Sequence, residues 1–333
     1  MTAMLLYGKL ATLATACLLS MPAIDQDPAK DAPKEQPAPA VRVPVGQLRP
    51  EVTLDLGGTL GMGAGDGSVW VSIKETSTLI RIDPKTTKTS QTVTLAKPPC
   101  PGMTFGFGAM WVPLCGTAGI ARVDPKTNAV TSTISKGIQA VSGPMSIGVG
   151  SVWTLSDGKG TLARIDPASG SVVAEVYIGG GANSVAFGQD ALWVTNGAMN
   201  QLARVAAHTN VIDEWITVGK TPVAVAFGEG SVWTLNVGDG SVSRIDPKTN
   251  KVTDTVKLGA TVAAGQIAVG EGSVWVSAPG LPLARIDPRT NQVAQIFTGT
   301  GGGMVFVGEG AVWIGADAKT LWRLDPRRVE ATR

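Results

Sequence analysis

The chain has 333 residues, of which 44% are hydrophobic and 16% charged, and its formal net charge is +2. That is ample for a globular core, and the near-neutral balance without a long basic run argues against nucleic-acid binding. A single histidine, His208, limits His-based chemistry, while 42 glycines beside many Val and Thr point to β-structure with tight turns.

In chain order, Lys9 precedes an apolar run over residues 10–21. The run is short of the roughly 20 apolar residues a membrane span needs. It fits an export signal ending near Ala23. Alternatively, Ala14-Thr15-Ala16-Cys17 reads as a loose lipobox, with Cys17 as a lipidated N-terminus. Residues 24–45 hold five prolines and many charges, with no apolar period. Such a segment buries too little to fold alone and reads as an extended tether. A repeat domain over 46–326 and a C-terminal tail over 327–333 complete the division.

Seven tryptophans, Trp70, Trp111, Trp153, Trp193, Trp233, Trp275 and Trp313, stand 38 to 42 residues apart. Five residues before each is a glycine: Gly65, Gly106, Gly148, Gly188, Gly228, Gly270 and Gly308. Ten or eleven residues after each is an arginine: Arg81, Arg122, Arg164, Arg204, Arg244, Arg285 and Arg323. Six of these begin Arg-x-Asp-Pro. A period near 40 built of strand-like units predicts an all-β, seven-bladed propeller with four antiparallel strands per blade. In residues 223–258, VAVAF, SVWTLN, SVSRID and KVTDTVKL are the four strands, separated by Gly-Glu-Gly, Val-Gly-Asp-Gly and Pro-Lys-Thr-Asn turns.

The last unit ends after Arg323-Leu324-Asp325-Pro326 and lacks a fourth strand. Residues 51–57 match fourth strands elsewhere, so they are expected to complete blade seven and close the ring. Because Trp recurs in all seven units and Arg-x-Asp-Pro in six, they read as packing elements rather than as a site. The same holds for Met62, Met103 and Met145, whose register carries Val185, Val225, Ile267 and Val305 in the other blades. His208 falls on an outer turn where blade four has Ala206-Ala207 for Asp-Pro. The turns bearing Asp66, Gln189, Glu229, Glu271 and Glu309 form an acidic ring of solvated tips.

The opposite face collects the inter-blade loops and glycine runs. Uncharged polar residues near it, Ser156, Asn183, Asn196, Asn236 and Gln266, are the candidate ligand-binding set. Cys100 and Cys115 both fall toward this face of blade two, which makes a disulfide feasible in an exported protein.

The segments 228–252 and 270–293, with Gly-Glu-Gly-Ser-Val-Trp followed by Arg-Ile-Asp-Pro, resemble the repeats of YVTN-type and YncE-like propellers. They are also similar to those of the streptogramin B (virginiamycin B) lyase group. The resemblance spans residues 51–326 and implies the fold. For the lyases it further implies metal-assisted elimination by His and Glu at the central mouth. Here the positions three after each Trp are Ile73, Leu114, Ser156, Asn196, Asn236, Ala278 and Ala316, and none is acidic. Asp157 and Asp239 in nearby turns are the carboxylates that could contribute to such chemistry. No catalytic residue, metal ligand or cofactor is therefore assigned, and Mg²⁺ enters only with the lyase alternative.

The expected function is an exported, monomeric, non-catalytic propeller that binds a small molecule or an envelope protein at one face of the channel. Its expected place is periplasmic or extracellular, with a membrane link only through a lipid anchor. The alternatives are a lyase-like enzyme and an envelope scaffold or surface-layer-type module.

Overall fold

Blade five shows how the repeat becomes structure. Its second strand, Ser231–Asn236, is buried along its whole length because a sheet stands against each of its faces. The outer strand Lys251–Lys257 instead alternates between covered and exposed residues, as a half-buried strand should. The first hairpin turns through Glu229 (φ 49°) and Gly230 (φ 71°). Two successive positive φ values define a type I′ turn, whose twist matches the flanking strands. Asp66-Gly67, Phe107-Gly108, Val149-Gly150, Gln189-Asp190, Glu271-Gly272 and Glu309-Gly310 repeat that geometry. In the third turn Asp246 accepts the Lys248 N–H at 2.8 Å, and Asn250 closes the hairpin at φ 58°.

The structure is a computed structural model that describes residues 40–332, apart from 59, 116, 117 and 140–142. The reading of Cys17 and of residues 1–23 lies outside the described residues. Seven sheets are present, and in blades one to six the four strands follow one another antiparallel. Blade seven is made of Val305–Gly308, Ala311–Gly315 and Thr320–Leu324 plus the early strand Val52–Asp55. Val52 pairs with Arg323 and Asp55 with Thr320, antiparallel. The ring thus closes with residues from its own start.

Each recurring landmark has a physical task. Every repeat Trp is fully buried and donates its indole N–H to the carbonyl of the Gly five residues earlier. That Gly also leaves a hole for the next blade. Phe105 sits over Gly65, Ile147 over Gly106, Phe187 over Gly148, Phe227 over Gly188, Val269 over Gly228 and Val307 over Gly270. Ala64 lies over Gly308, which completes the circle. A Cβ at Gly106 would stand 2.9 Å from Ile147, so a glycine is required by this approach rather than by its dihedral angles.

In six blades the Arg guanidinium lies 5.1–5.9 Å from its Trp ring. Arg81, Arg164 and Arg244 then reach across to carbonyls of Pro125, Ala207 and Pro288, in the turn of the following blade. In these three blades the Arg is an inter-blade staple, whereas Arg204, Arg285 and Arg323 pair with Asp213, Gln295 and Glu51 of their own blades.

Two segments differ from the sequence-based division. Val41–Pro44, expected in the tether, forms a fifth strand on blade six, parallel to the outer strand Gln292–Thr298. Val43 is buried there with Leu48 and Phe297, which outweighs the prolines around it. The tail is also ordered. Pro326–Ala331 is a short helix capped by Asp325, with Val329 buried in the same cluster. Gln295 of blade six donates to the carbonyls of Val329 and Thr332 at 2.7 Å and of Glu330 at 3.3 Å. Arg285, whose Nε is held by Gln295, forms an ion pair with Glu330.

Candidate functional site at the mouth of the central channel

The inner strands of all seven blades begin around one cavity of about 430 Å³. Met62, Met103, Val225, Ile267, Val305 and Phe306 supply most of its apolar wall, with Pro101 and Pro144 at loop positions. Ser184 and Gln266 are its polar side chains. Each already links two blades: the Ser184 hydroxyl accepts the Val225 N–H at 3.3 Å, and the Gln266 carbonyl oxygen accepts the Val305 N–H at 3.4 Å. Among the side chains of the lining, the Ser184 O–H and the Gln266 amide Nε2 are the donors left to a ligand. A concave volume in the hundreds of Å³ with apolar side chains and a small number of polar side chains is the usual make-up of a small-molecule site.

Of the five residues singled out from sequence, only Gln266 lines this cavity. Asn196 is fully buried, donates to the Ile178 carbonyl at 3.2 Å and accepts the Met199 N–H at 3.1 Å. Asn236 is fully buried among Thr234, Ser241 and Ser243. Ser156 donates to the Thr161 carbonyl at 3.2 Å, and Asn183 is exposed and donates to the Gly181 carbonyl. These amides and hydroxyls satisfy strand ends and turns, as buried polar groups must.

Sequence reasoning passed over the Met62 register as core. The structure gives it both tasks: Met62 packs with blade seven and Met103 with blade one, and both also reach the cavity. The signal was present in the shared register, because the first residues of an inner strand stand at the mouth.

Cys100 and Cys115 are joined as a disulfide, with Cα atoms 4.9 Å apart. Pro99 and Leu114 form a bridge beside it. The disulfide ties the loop that supplies Pro101 to the end of the second strand of blade two.

Asp157 and Asp239, the carboxylates considered from the sequence, are occupied. Burial would raise the Asp157 carboxyl, but the N–H and O–H of Thr161 and the N–H of Lys159 outweigh it and hold the group below the ordinary range. Burial likewise opposes the Ser241 hydroxyl and Lys257 at Asp239, and the hydrogen bonds prevail. A carboxylate held down in this way is a weak base. No carboxylate lines the cavity, and among the described residues no three His, Cys, Asp or Glu side chains come together as metal ligands do. These residues do not fit a catalytic Mg²⁺.

Fold and mouth together define a seven-bladed β-propeller with a central cavity lined by apolar side chains and by polar groups in nearly equal share. Comparison with known proteins agrees on the architecture. Residues 44–174, less than half of the chain, match a family described as "Repeat of unknown function (DUF6923)". The chain is similar to virginiamycin B lyase from Staphylococcus aureus, with 19% identity and a TM-score of 0.71, over 82% of this chain and 98% of that one. It is similar to a streptogramin B lyase at 17% identity and a TM-score of 0.70, over 81% and 94%. A chain of the Mitotic Checkpoint Complex matches at 13% identity and a TM-score of 0.71, over 95% and 99%. No curated protein matches the sequence. With 1622 solved chains alike, the likeness speaks to fold alone.

Proposed function

We propose that this protein is an exported binding propeller that takes a small, uncharged, mainly apolar molecule at the mouth of its channel and does no chemistry on it. The observation that carries this reading is the lining: chiefly apolar side chains around about 430 Å³, with Gln266 and Ser184 as the polar side chains and, among the described residues, no charged one. A ligand with one or two carbonyl acceptors on a hydrophobic frame suits that surface. The Cys100–Cys115 disulfide supports an oxidising compartment, in line with the N-terminal signal read from the sequence.

A thermal-shift screen of neutral amphiphiles, followed by calorimetric titration, tests the site. Hits should weaken about tenfold when Gln266→Leu removes the amide (roughly 1.4 kcal/mol), and should vanish when Val225→Trp fills the cavity. Unchanged binding in both variants sinks this site. Ring-opened product from a streptogramin B with Mg²⁺ would contradict the non-catalytic part.

A further inference from the structure

The large exposed hydrophobic residues are unevenly placed. Phe107, Val130, Val173, Tyr177, Met199 and Val211 all belong to blades two to four. Four of them lie on outer strands. The outer strands of blades one and five expose only polar side chains, chiefly Thr, Ser, Gln and Lys. The outer strand of blade six is covered by Val41–Pro44. Blade three is the centre of the uncovered sector. On Val172–Tyr177, Val173 is 57% and Tyr177 67% exposed, with exposed Glu175 between them on the same face. A groove of about 480 Å³ runs beside them, lined by Ser171–Glu175 and by Lys136 and Gly137.

We infer that this edge is a docking site for an extended segment of a partner protein, one that alternates apolar and basic residues and adds a fifth strand to blade three. An exposed strand edge with apolar side chains is a template for such addition. The molecule itself shows the geometry on blade six. There Arg285 pairs with Gln295 and Ala284 with Ile296, and the added strand sets Arg42 opposite Ile296. In blade three Arg164 pairs with Ala174 and Ala163 with Glu175. Glu175 therefore occupies the place of Ile296, Val176 that of Phe297, and Tyr177 that of Thr298. A Val-Arg-Val-Pro strand laid in the same register brings its basic residue opposite Glu175 and its proline opposite Tyr177. The charge match is better than on blade six, where the residue opposite is an isoleucine. Among the described residues Glu175 forms no ion pair within the chain. The site is separate from the channel mouth.

The test uses the chain's own residues 39–46, Pro-Ala-Val-Arg-Val-Pro-Val-Gly, as a fluorescein-labelled peptide probed by anisotropy against the full-length protein. Saturable binding is expected. Arg42→Glu in the peptide, or Glu175→Lys in the protein, should weaken it at least about fivefold, and the two together should restore it. Val173→Ser with Tyr177→Ser should abolish it. All three side chains are exposed, so an unchanged melting curve verifies each variant's fold. Absence of saturable binding overturns the proposal. So does binding that ignores Glu175, Val173 and Tyr177, which would assign the peptide to exchange at blade six. Self-association of the wild-type chain that Tyr177→Ser removes would give the edge to a second copy and also overturn it.

Discussion

Adding two hydroxyls should stabilise the propeller. Two residues before the repeat Trp, blades one, three and five carry Ser68, Ser151 and Ser231. Their hydroxyls accept the Nε–H of Arg81, Arg164 and Arg244 at 2.8, 2.8 and 2.9 Å. Blades four and seven carry Ala191 and Ala311 at that position, both fully buried. In these two blades the Nε atoms of Arg204 and Arg323 are buried without a partner. Both guanidiniums are ion-paired through Nη1, to Asp213 and Glu51, which leaves Nε unanswered. A buried unpaired donor costs about 1–3 kcal/mol, and a hydrogen bond to a charged group returns about 1.5–3. Burying the new hydroxyl takes back part of that. A gain of about 1 kcal/mol per Ala→Ser change remains, or roughly 2 °C in Tm for a domain of this size. The sites lie in non-adjacent blades, so Ala191→Ser and Ala311→Ser should add. Urea titration of the single and double variants measures this, with Ser151→Ala as the reverse control that should cost a similar amount. A destabilised serine variant, or an unaffected Ser151→Ala protein, would refute the account of the staple.

Three further outcomes follow from the same structure. Gly228→Ala should cost about 1–3 kcal/mol by overpacking, since its Cβ would lie 2.6 Å from Val269; Gly180→Ala, with nothing within 4 Å, is the control expected to be near neutral in the same titration. Gln295→Ala removes the amide that holds the C-terminal helix, so hydrogen exchange of residues 326–332 should rise sharply while the inner strands stay protected; unchanged exchange would contradict the assigned role. Backbone N–H groups of the turns hold the Asp83, Asp246 and Asp325 carboxyls below their ordinary value. Their folded pKa is depressed, so the stability they add is fully present above the unfolded value of about 3.9 and is lost as pH falls through the folded values. The urea midpoint should therefore drop below about pH 4, and a flat midpoint from pH 5 to pH 2.5 would contradict this.

The ring was legible because its parts repeat. Gly, Trp and Arg recur at constant offsets, so one unit suffices to read seven, and the orphaned last hairpin points back to residues 51–57. Val41–Pro44 and the helix Pro326–Ala331 have no repeat counterpart. They are ordered by contacts with blade six and each other's neighbourhood, through Phe297, Leu48 and Gln295, and no local propensity announces them. The mouth was half legible. Polar residue types at strand ends suggested Asn196 and Asn236, but a sequence does not say whether an amide is already spent on a neighbouring carbonyl. Gln266 differs because its strand starts at the channel, and the apolar register beside it serves packing and lining at once.

The closing strand has a kinetic consequence. Val52–Asp55 leaves the ribosome before any blade, yet its partner Thr320–Leu324 is made last. Six blades can assemble in order as an open arc, each bearing on its predecessor. The final sheet must wait for the whole chain and then join sequence-distant ends, the slowest kind of contact to form. Truncation before residue 320 should leave blade seven without its third strand and Val52–Asp55 without a partner, and refolding of the intact chain should show a late phase in which the N-terminal strands join blades six and seven.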